Sequence, residues 1–226
     1  MTGTVYDLEP ITLVGAGQVN EHDITRCLDM APRLVASDGG ASHCVALNLN
    51  PEAVIGDMDS VDLDVLAAVP AERVHKIENQ DTTDFQKALH LISAPYILGV
   101  GFSGGRLDHQ LACFNSLVRN SEKRCVLLGD TDIVFLAPPS LRLPLDHGTR
   151  VSMFPMGEVE AKSDGLKWPV DGLMFAPDGQ IGTSNEATGV VHLQMSTPKM
   201  LLILSRCWLE TVVKALTIER RTWATT

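Results

Sequence analysis

Cysteine is scarce in this chain, and the five present (Cys27, Cys44, Cys113, Cys125 and Cys207) are scattered, odd in number and without a CxxC pair. They give no disulfide framework and read as reduced core thiols that do no chemistry in a cytoplasmic protein. Long apolar runs are missing as well. The densest late one, Met200 to Leu204, is far too short to span a bilayer. The first ten residues carry Asp7 and Glu9 but no basic segment, against a secretory signal. Basic charge is in deficit: 18 Lys and Arg face 28 Asp and Glu, for a net charge of −10. A nucleic-acid partner, which demands a basic footprint, is disfavoured.

Several catalytic signatures are absent too. Gly99 and Gly104 have P-loop spacing, but Gly105 and Arg106 follow where Lys and Ser or Thr should stand. Gly15-Ala16-Gly17 lacks the third glycine of a dinucleotide fingerprint, since Asn20 occupies that place. HExxH does not occur. A P-loop enzyme and a zincin are therefore disfavoured, and the Gly15 loop gives no support to a Rossmann dehydrogenase.

What is present describes a globular protein of 226 residues, 45% hydrophobic, long enough for one large or two small cores. Up to about residue 135, short apolar runs alternate with helix-length amphipathic stretches. Strands are predicted at 11–14, 34–36, 53–55, 74–77, 96–100 and 125–128, and helices near 22–30, 41–47, 62–68, 83–93 and 106–120. Such alternation predicts an α/β fold, a mostly parallel sheet with helices on both faces. Ligands then bind in the loops that follow the strands. After Ala137-Pro138-Pro139-Ser140 the pattern changes to short alternating segments at 141–145, 149–154, 158–161, 173–175, 180–182, 190–195 and 200–204. Asp-Gly turns separate several of them, as in an all-β sandwich-like domain. The expected division is an α/β domain over 1–136 and a β domain over 141–226. The stretch 209–221 reads equally as strand or short helix.

Acidic charge is concentrated between Asp57 and Asp84, with eight acidic residues against two basic. A solvated face would explain it, and so would a site in which divalent cations mediate binding of a polyphosphate. Gly56-Asp57-Met58-Asp59-Ser60 follows a predicted strand, and carboxylates two apart there can converge on one hard cation. Alternatively Asp59 or Ser60 caps the next helix. In Gln80-Asp81-Thr82-Thr83-Asp84, Thr83 and Gln86 have capping-box spacing, ahead of an apolar stripe of Phe85, Ala88, Leu89 and Ile92. Gly99-Val100-Gly101-Phe102-Ser103-Gly104-Gly105-Arg106-Leu107-Asp108-His109 is the most specific segment. Its glycines let backbone approach an anion, and Arg106 offers a fork for phosphate oxygens. The bland alternative is a tight turn whose Arg106 and Asp108 pair on the surface. Ser37-Asp38-Gly39-Gly40-Ala41 also follows a strand, and can hold a nucleotide or merely turn the chain.

Together and in this order, these motifs resemble the thiamine pyrophosphokinase family, whose pattern runs approximately ADGGAN, GDxDS, QDxTD and GGRxDH. Gly165-Leu166-Lys167-Trp168 and Thr183-Ser184-Asn185 extend the resemblance through the later region, matching GLxW and SN. Ser42 stands where the family usually has Asn. The resemblance implies transfer of a diphosphate group from Mg²⁺-ATP to the hydroxyl of thiamine, by a homodimer with sites at the subunit interface. It implies that Asp57, Asp59 and Asp84 hold Mg²⁺, with Asp108 nearby and Arg106 on phosphate. Asp38, Gly39, Gly40, Asp81, Ser103, Gly104 and Gly105 would contact ATP. Gln80, Thr83, Trp168, Ser184 and Asn185 would approach the acceptor, with the Trp168 indole stacked on a cationic ring. A diphosphokinase for a pterin alcohol, a non-catalytic nucleotide or thiamine binder, and a DxDx[ST] phosphatase are the alternatives.

Overall fold

The computed structural model describes residues 5–6, 9–79, 81–219 and 221–224. The chain divides into two compact units, Met1–Ser116 with Leu127–Asp130, and Leu117–Val126 with Thr131–Thr226.

The first unit contains β1 (Val5–Tyr6), β2 (Ile11–Val14), β3 (Arg33–Ser37), β4 (Ala53–Gly56), β5 (Val74–Lys76), β6 (Ile92–Ser93) and β7 (Ile97–Val100). Between them run α1 (Glu21–Met30), α2 (Gly40–Ala46), α3 (Leu63–Ala67) and α4 (Asp84–Leu91), and α5 (Leu107–Arg119) follows β7. Strands lie in the order β7-β2-β3-β4-β5, all parallel. A separate parallel pair joins β1 to β6. Every residue of β2, β4 and β7 is buried, which explains their unbroken apolar character: a parallel sheet is covered on both faces. Each fully buried Ile, Leu or Val there contributes about 1.5–3 kcal/mol, so the sheet is the stable part of the unit. Parallel strands also deliver their carboxyl ends to one side. The loops after β2, β3, β4 and β7 therefore converge, and those loops carry Gly15–Asn20, Asp38, Asp57 to Ser60, and Gly101 to Arg106.

β8 (Cys125–Leu128) leads on to the second unit, with β9 (Asp132–Leu136), β10 (Ser140–Pro144), β11 (Arg150–Pro155), β12 (Val159–Leu166), β13 (Met174–Phe175), β14 (Gly182–Met195) and β15 (Met200–Ser205). Its pairings are antiparallel: β9 with β15, β15 with β11, β11 with β14, β14 with β12 and β10, and β12 with β13. The segments 180–182 and 190–195, expected to be separate, are largely the two ends of β14. Its first part, Gly182 to Glu186, pairs with β11, and the rest pairs with β10 and β12. Ser184 at φ 63° and Gly189 at φ 140° bend the strand so that it serves both pairings. β9 was not among the predicted strands, although Ile133 to Leu136 are all buried. The stretch of undecided type is a helix, α6 (Leu209–Ile218), burying Leu209, Val212, Val213 and Leu216 at i, i+3, i+4 and i+7. Among the described residues, no helix is long and apolar enough to cross a membrane.

Candidate active site

Asp38 leaves β3 with a left-handed backbone, φ 42°, unusual for a residue with a side chain. Its N–H donates to the Ile55 carbonyl of β4 at 2.8 Å, and its own carbonyl accepts the Ala41 N–H at 2.9 Å, which fixes the turn. On the neighbouring strand the chain continues through Gly56 into Asp57-Met58-Asp59. A β-carbon on Gly56 would lie 2.7 Å from the Asp38 β-carbon, so only glycine lets the two strand ends approach this closely. Met58 at φ 66° then turns the chain. Carboxylate oxygens of Asp38, Asp57 and Asp59 consequently lie within 4.8 Å of one another.

Asp38 is 3% exposed, and its Oδ1 has no hydrogen-bond partner. Burial, followed by the charges of Asp84, Asp57 and Asp59, pushes its carboxyl up to about 6. Three converging carboxylates, one of them buried with an unpartnered oxygen, fit a hard divalent cation that prefers oxygen ligands. The helix-capping alternative for this segment does not hold. α3 is preceded by Asp62, and the Ser60 hydroxyl donates instead to Asp59 Oδ1 at 2.9 Å.

Lys87, which sequence reasoning passed over, lies against the same group. Its side chain is only 2% exposed, and Nζ donates to Asp57 Oδ2 at 2.9 Å and to Asp84 Oδ1 at 2.8 Å. Burial disfavours the ammonium, but the hydrogen bonds and charges of Asp84 and Asp57 outweigh that and hold it above its usual value. Reciprocally, the Lys87 bond is the main reason that Asp57 is held below the usual carboxylate range. Asp84 opens α4, whose cap is Thr83: its Oγ accepts the Gln86 N–H at 3.2 Å.

A cleft of about 770 Å³ opens over these strand ends. Asp38, Thr83, Asp84, Gly104, Gly105 and Arg106 line it, together with Gln18, His43, Phe85 and Phe102, which the sequence reading did not place among the site residues. The two phenylalanine rings meet at 4.5 Å between centroids. The loop after β2 is tied down by Gly17 N–H to the Gly101 carbonyl, 2.9 Å, and by His43 Nε2 against the Gly17 carbonyl, 3.0 Å. That loop's position directly after a strand is the available signal.

Gly39 and Gly40 are buried at the start of α2. Ser103 Oγ donates to the Leu128 carbonyl at 3.4 Å. Asp81 is exposed, its N–H donating to Asn79 Oδ1. Arg106 and Asp108 form an exposed ion pair at 2.6 Å, with 70% and 65% of their side chains in solvent. This is the surface pairing that the bland reading anticipates, and it also leaves Arg106 on the rim of the cleft. Gln80 lies outside the described residues.

Trp168, Ser184 and Asn185 form a separate group in the second unit. Gly165, at φ 78°, occupies a register shift between Asp164 and Leu166 of β12. Such a bulge re-aims the strand, here toward Trp168. Asn185 is buried and fixes the turn from β14: its Oδ1 accepts the Trp168 N–H and its Nδ2 donates to the Trp168 carbonyl. The indole is 54% exposed, with Lys167 Nζ 4.9 Å from the ring centroid. Ser184 N–H donates to Ser152 Oγ at 3.0 Å. A hollow of about 170 Å³ is lined by Trp168, Val170, Leu173, Phe175, Ile181 and Asn185.

An acidic, glycine-rich cleft at the carboxyl ends of a parallel sheet, with an antiparallel β unit in the same chain, defines a two-unit α/β protein with a candidate ligand site in its first unit. The chain matches "Thiamin pyrophosphokinase, catalytic domain" over residues 24–128 and "Thiamin pyrophosphokinase, vitamin B1 binding domain" over 140–200. It belongs to the thiamine pyrophosphokinase family, whose members are ATP-dependent diphosphotransferases. Thiamine pyrophosphokinase 1 of Oryza sativa subsp. japonica is 32% identical over 191 residues, which cover 70% of this chain and 72% of that protein. Thiamine pyrophosphokinase 1 of Arabidopsis thaliana is 32% identical over 154 residues, 60% of this chain and 58% of that protein. The structure of thiamin pyrophosphokinase from Candida albicans shares the fold, with a TM-score of 0.73 at 16% identity over 88% of this chain and 92% of that one.

Proposed function

We propose that this protein is a thiamine diphosphokinase, transferring the diphosphate group of Mg²⁺-ATP to the hydroxyl of thiamine. The observation that carries the proposal is the grouping of Asp38, Asp57 and Asp59 within 4.8 Å of one another, with Asp38 lining a glycine-rich cleft. The hydroxyl oxygen forms a bond to the β-phosphorus, the bond from that phosphorus to the α,β-bridging oxygen breaks, and AMP leaves with that oxygen. The hydroxyl proton passes to solvent or to phosphate. Chemistry of this kind asks a protein mainly for positioning and for neutralising charge.

Asp38, Asp57 and Asp59 would hold the magnesium ion, with Asp84 beside them through Lys87. Bound there, the ion supplies positive charge that offsets the triphosphate and the local acidic excess. Gly104 and Gly105 bring backbone close to the polyphosphate ahead of α5, and Arg106 turns from Asp108 to phosphate oxygens. Phe85 and Phe102 give the cleft an apolar wall. Thr83 accepts its capping bond at Oγ and keeps its own O–H to donate into the cleft. In the second unit Trp168 presents an indole face to the cationic thiamine, with the Lys167 ammonium, paired to Glu186, 4.9 Å from the ring centroid. Ser184 and Asn185 shape the turn around it.

A homodimer in the cytoplasm is part of the proposal. The exposed Trp168, Leu173, Met174, Ile181 and Val190 offer apolar surface to a second copy, and the free cysteines suit a reducing compartment. The test of the activity is thiamine-dependent release of AMP from Mg²⁺-ATP by the purified protein, with products separated chromatographically. AMP rising in step with thiamine diphosphate is the expected result. ADP or free phosphate in its place overturns the proposal.

A further inference from the structure

Lys87 is the unusual member of the acidic group. A lysine with 2% of its side chain exposed is rare unless paired, and this one is paired twice, to Asp57 Oδ2 at 2.9 Å and Asp84 Oδ1 at 2.8 Å. A charged ammonium is removed from water only where carboxylates replace its hydration, so the pairing is a fixed part of the site rather than a surface contact. Asp38 and Asp59 stand within 4.8 Å of Asp57, and the buried Asp38 Oδ1 lacks any partner. Lys87 thus neutralises part of the acidic group from within the protein, while Asp38 retains an unsatisfied ligand oxygen.

We infer that Lys87 is a resident cation of the active site, standing between Asp57 and Asp84 where a second divalent ion would otherwise bind, so that the nucleotide-free protein takes one divalent ion, at Asp38, Asp57 and Asp59. This rests on the divalent site proposed above. Lys87 is a positioning residue: it touches neither substrate but sets how many ions four carboxylates can hold and keeps Asp57 from rotating toward Asp84. Any further divalent ion would have to arrive with the polyphosphate, which brings its own oxygen ligands. The tether is short. Lys87 follows Asp84 by three residues on α4, so one capped helix carries both members of that ion pair.

The probe is Mn²⁺, counted by the electron paramagnetic resonance of free ion during titration of the full chain without nucleotide. One Mn²⁺ per wild-type chain is expected, and two overturn the inference. Lys87→Met is expected to bind a second Mn²⁺ or to bind the first at least tenfold more tightly, and to show a melting temperature that rises with Mn²⁺ more than that of wild type. Lys87→Arg, which keeps the charge, is expected to retain the wild-type count. A folded Lys87→Met protein with unchanged stoichiometry and affinity overturns the inference. Should Lys87→Met fail to fold, the double variant Asp84→Asn with Lys87→Met removes one charge of each sign and still releases Asp57. It is expected to bind the first Mn²⁺ severalfold more tightly than wild type, and equal or weaker binding overturns the inference. Absence of Mn²⁺ binding by wild type without nucleotide, with AMP release intact, overturns the inference and leaves the proposed activity standing.

Discussion

Asn185 and Trp168 hold each other by two hydrogen bonds in opposite directions: the Trp168 N–H donates to Asn185 Oδ1 at 3.2 Å, and Asn185 Nδ2 donates to the Trp168 carbonyl at 2.7 Å. Oδ1 also accepts the Glu186 N–H at 2.8 Å, so a single buried amide joins the turn of β14 to the residue after the β12 bulge. The side chain that fixes the indole is therefore distinct from the indole itself. Asn185→Ala leaves buried backbone groups without partners, a loss of about 1–3 kcal/mol. We expect KM for thiamine to rise about tenfold with KM for ATP unchanged, measured by AMP release. Equal effects on both substrates would show that Asn185 supports the fold and not the acceptor site.

Asp59 provides the second test. It lies with Asp38 and Asp57 in the carboxylate group, yet it is exposed and has no part in the buried packing. Asp59→Asn should leave the melting temperature nearly unchanged and lower turnover at saturating Mg²⁺ by on the order of a hundredfold or more, the scale seen on removing one electrostatic element of a catalytic site. Near-full activity would remove Asp59 from the proposed metal site.

Much of this was legible in the sequence, and the reasons are physical. A parallel strand covered on both faces must be apolar throughout, so Ile11–Val14 and Ala53–Gly56 announced themselves. Loops after such strands were the expected carriers of chemistry, and Asp38 after β3 and Asp57 and Asp59 after β4 lie in them, although the sequence reading set the metal on Asp57, Asp59 and Asp84 and gave Asp38 to the nucleotide. Lys87 was not legible. Three residues after Asp84 on a helix, it reads as an ordinary solvent-facing pair, and only the approach of Asp57 from another strand end makes it a buried cation. β14 was likewise hidden, because Ser184 and Gly189 are turn residues by local preference. Here the left-handed Ser184 bends a continuous strand without ending it.

Gly56 tests how closely the strand ends must approach. A β-carbon there would meet the Asp38 β-carbon at 2.7 Å and its α-carbon at 3.2 Å. Neither is the far end of a flexible side chain, so Asp38 must move. Gly56→Ala should destabilise the protein by about 1–3 kcal/mol, the usual range for overpacking. It should also weaken Mn²⁺ binding by displacing Asp38 from its two neighbours. Thermal unfolding with and without Mn²⁺ separates the two effects, since a purely structural lesion would leave the Mn²⁺-induced rise in melting temperature intact.

Asp38 itself should trade stability for function. In the unfolded chain its carboxyl ionises near 3.8, and in the folded, metal-free protein near 6. The folded value is the higher one, so the unfolded state gains by ionising first as pH rises from about 4. The stability tied to the protonated form is complete below 3.8 and is lost as pH climbs through 6. At about 1.4 kcal/mol for each pKa unit the loss is of the order of 3 kcal/mol above pH 7. Asp38→Asn carries no such charge. In EDTA it should be more stable than wild type at pH 8 by up to that amount, with the advantage shrinking toward pH 4. Added Mn²⁺ should stabilise wild type and not the variant, because the ion takes the place of the missing partner at Oδ1. Turnover should fall by at least a hundredfold. If the variant gains no stability at pH 8 in EDTA, then the buried carboxylate is relieved by a partner within the protein, and the case for an ion at this position is lost.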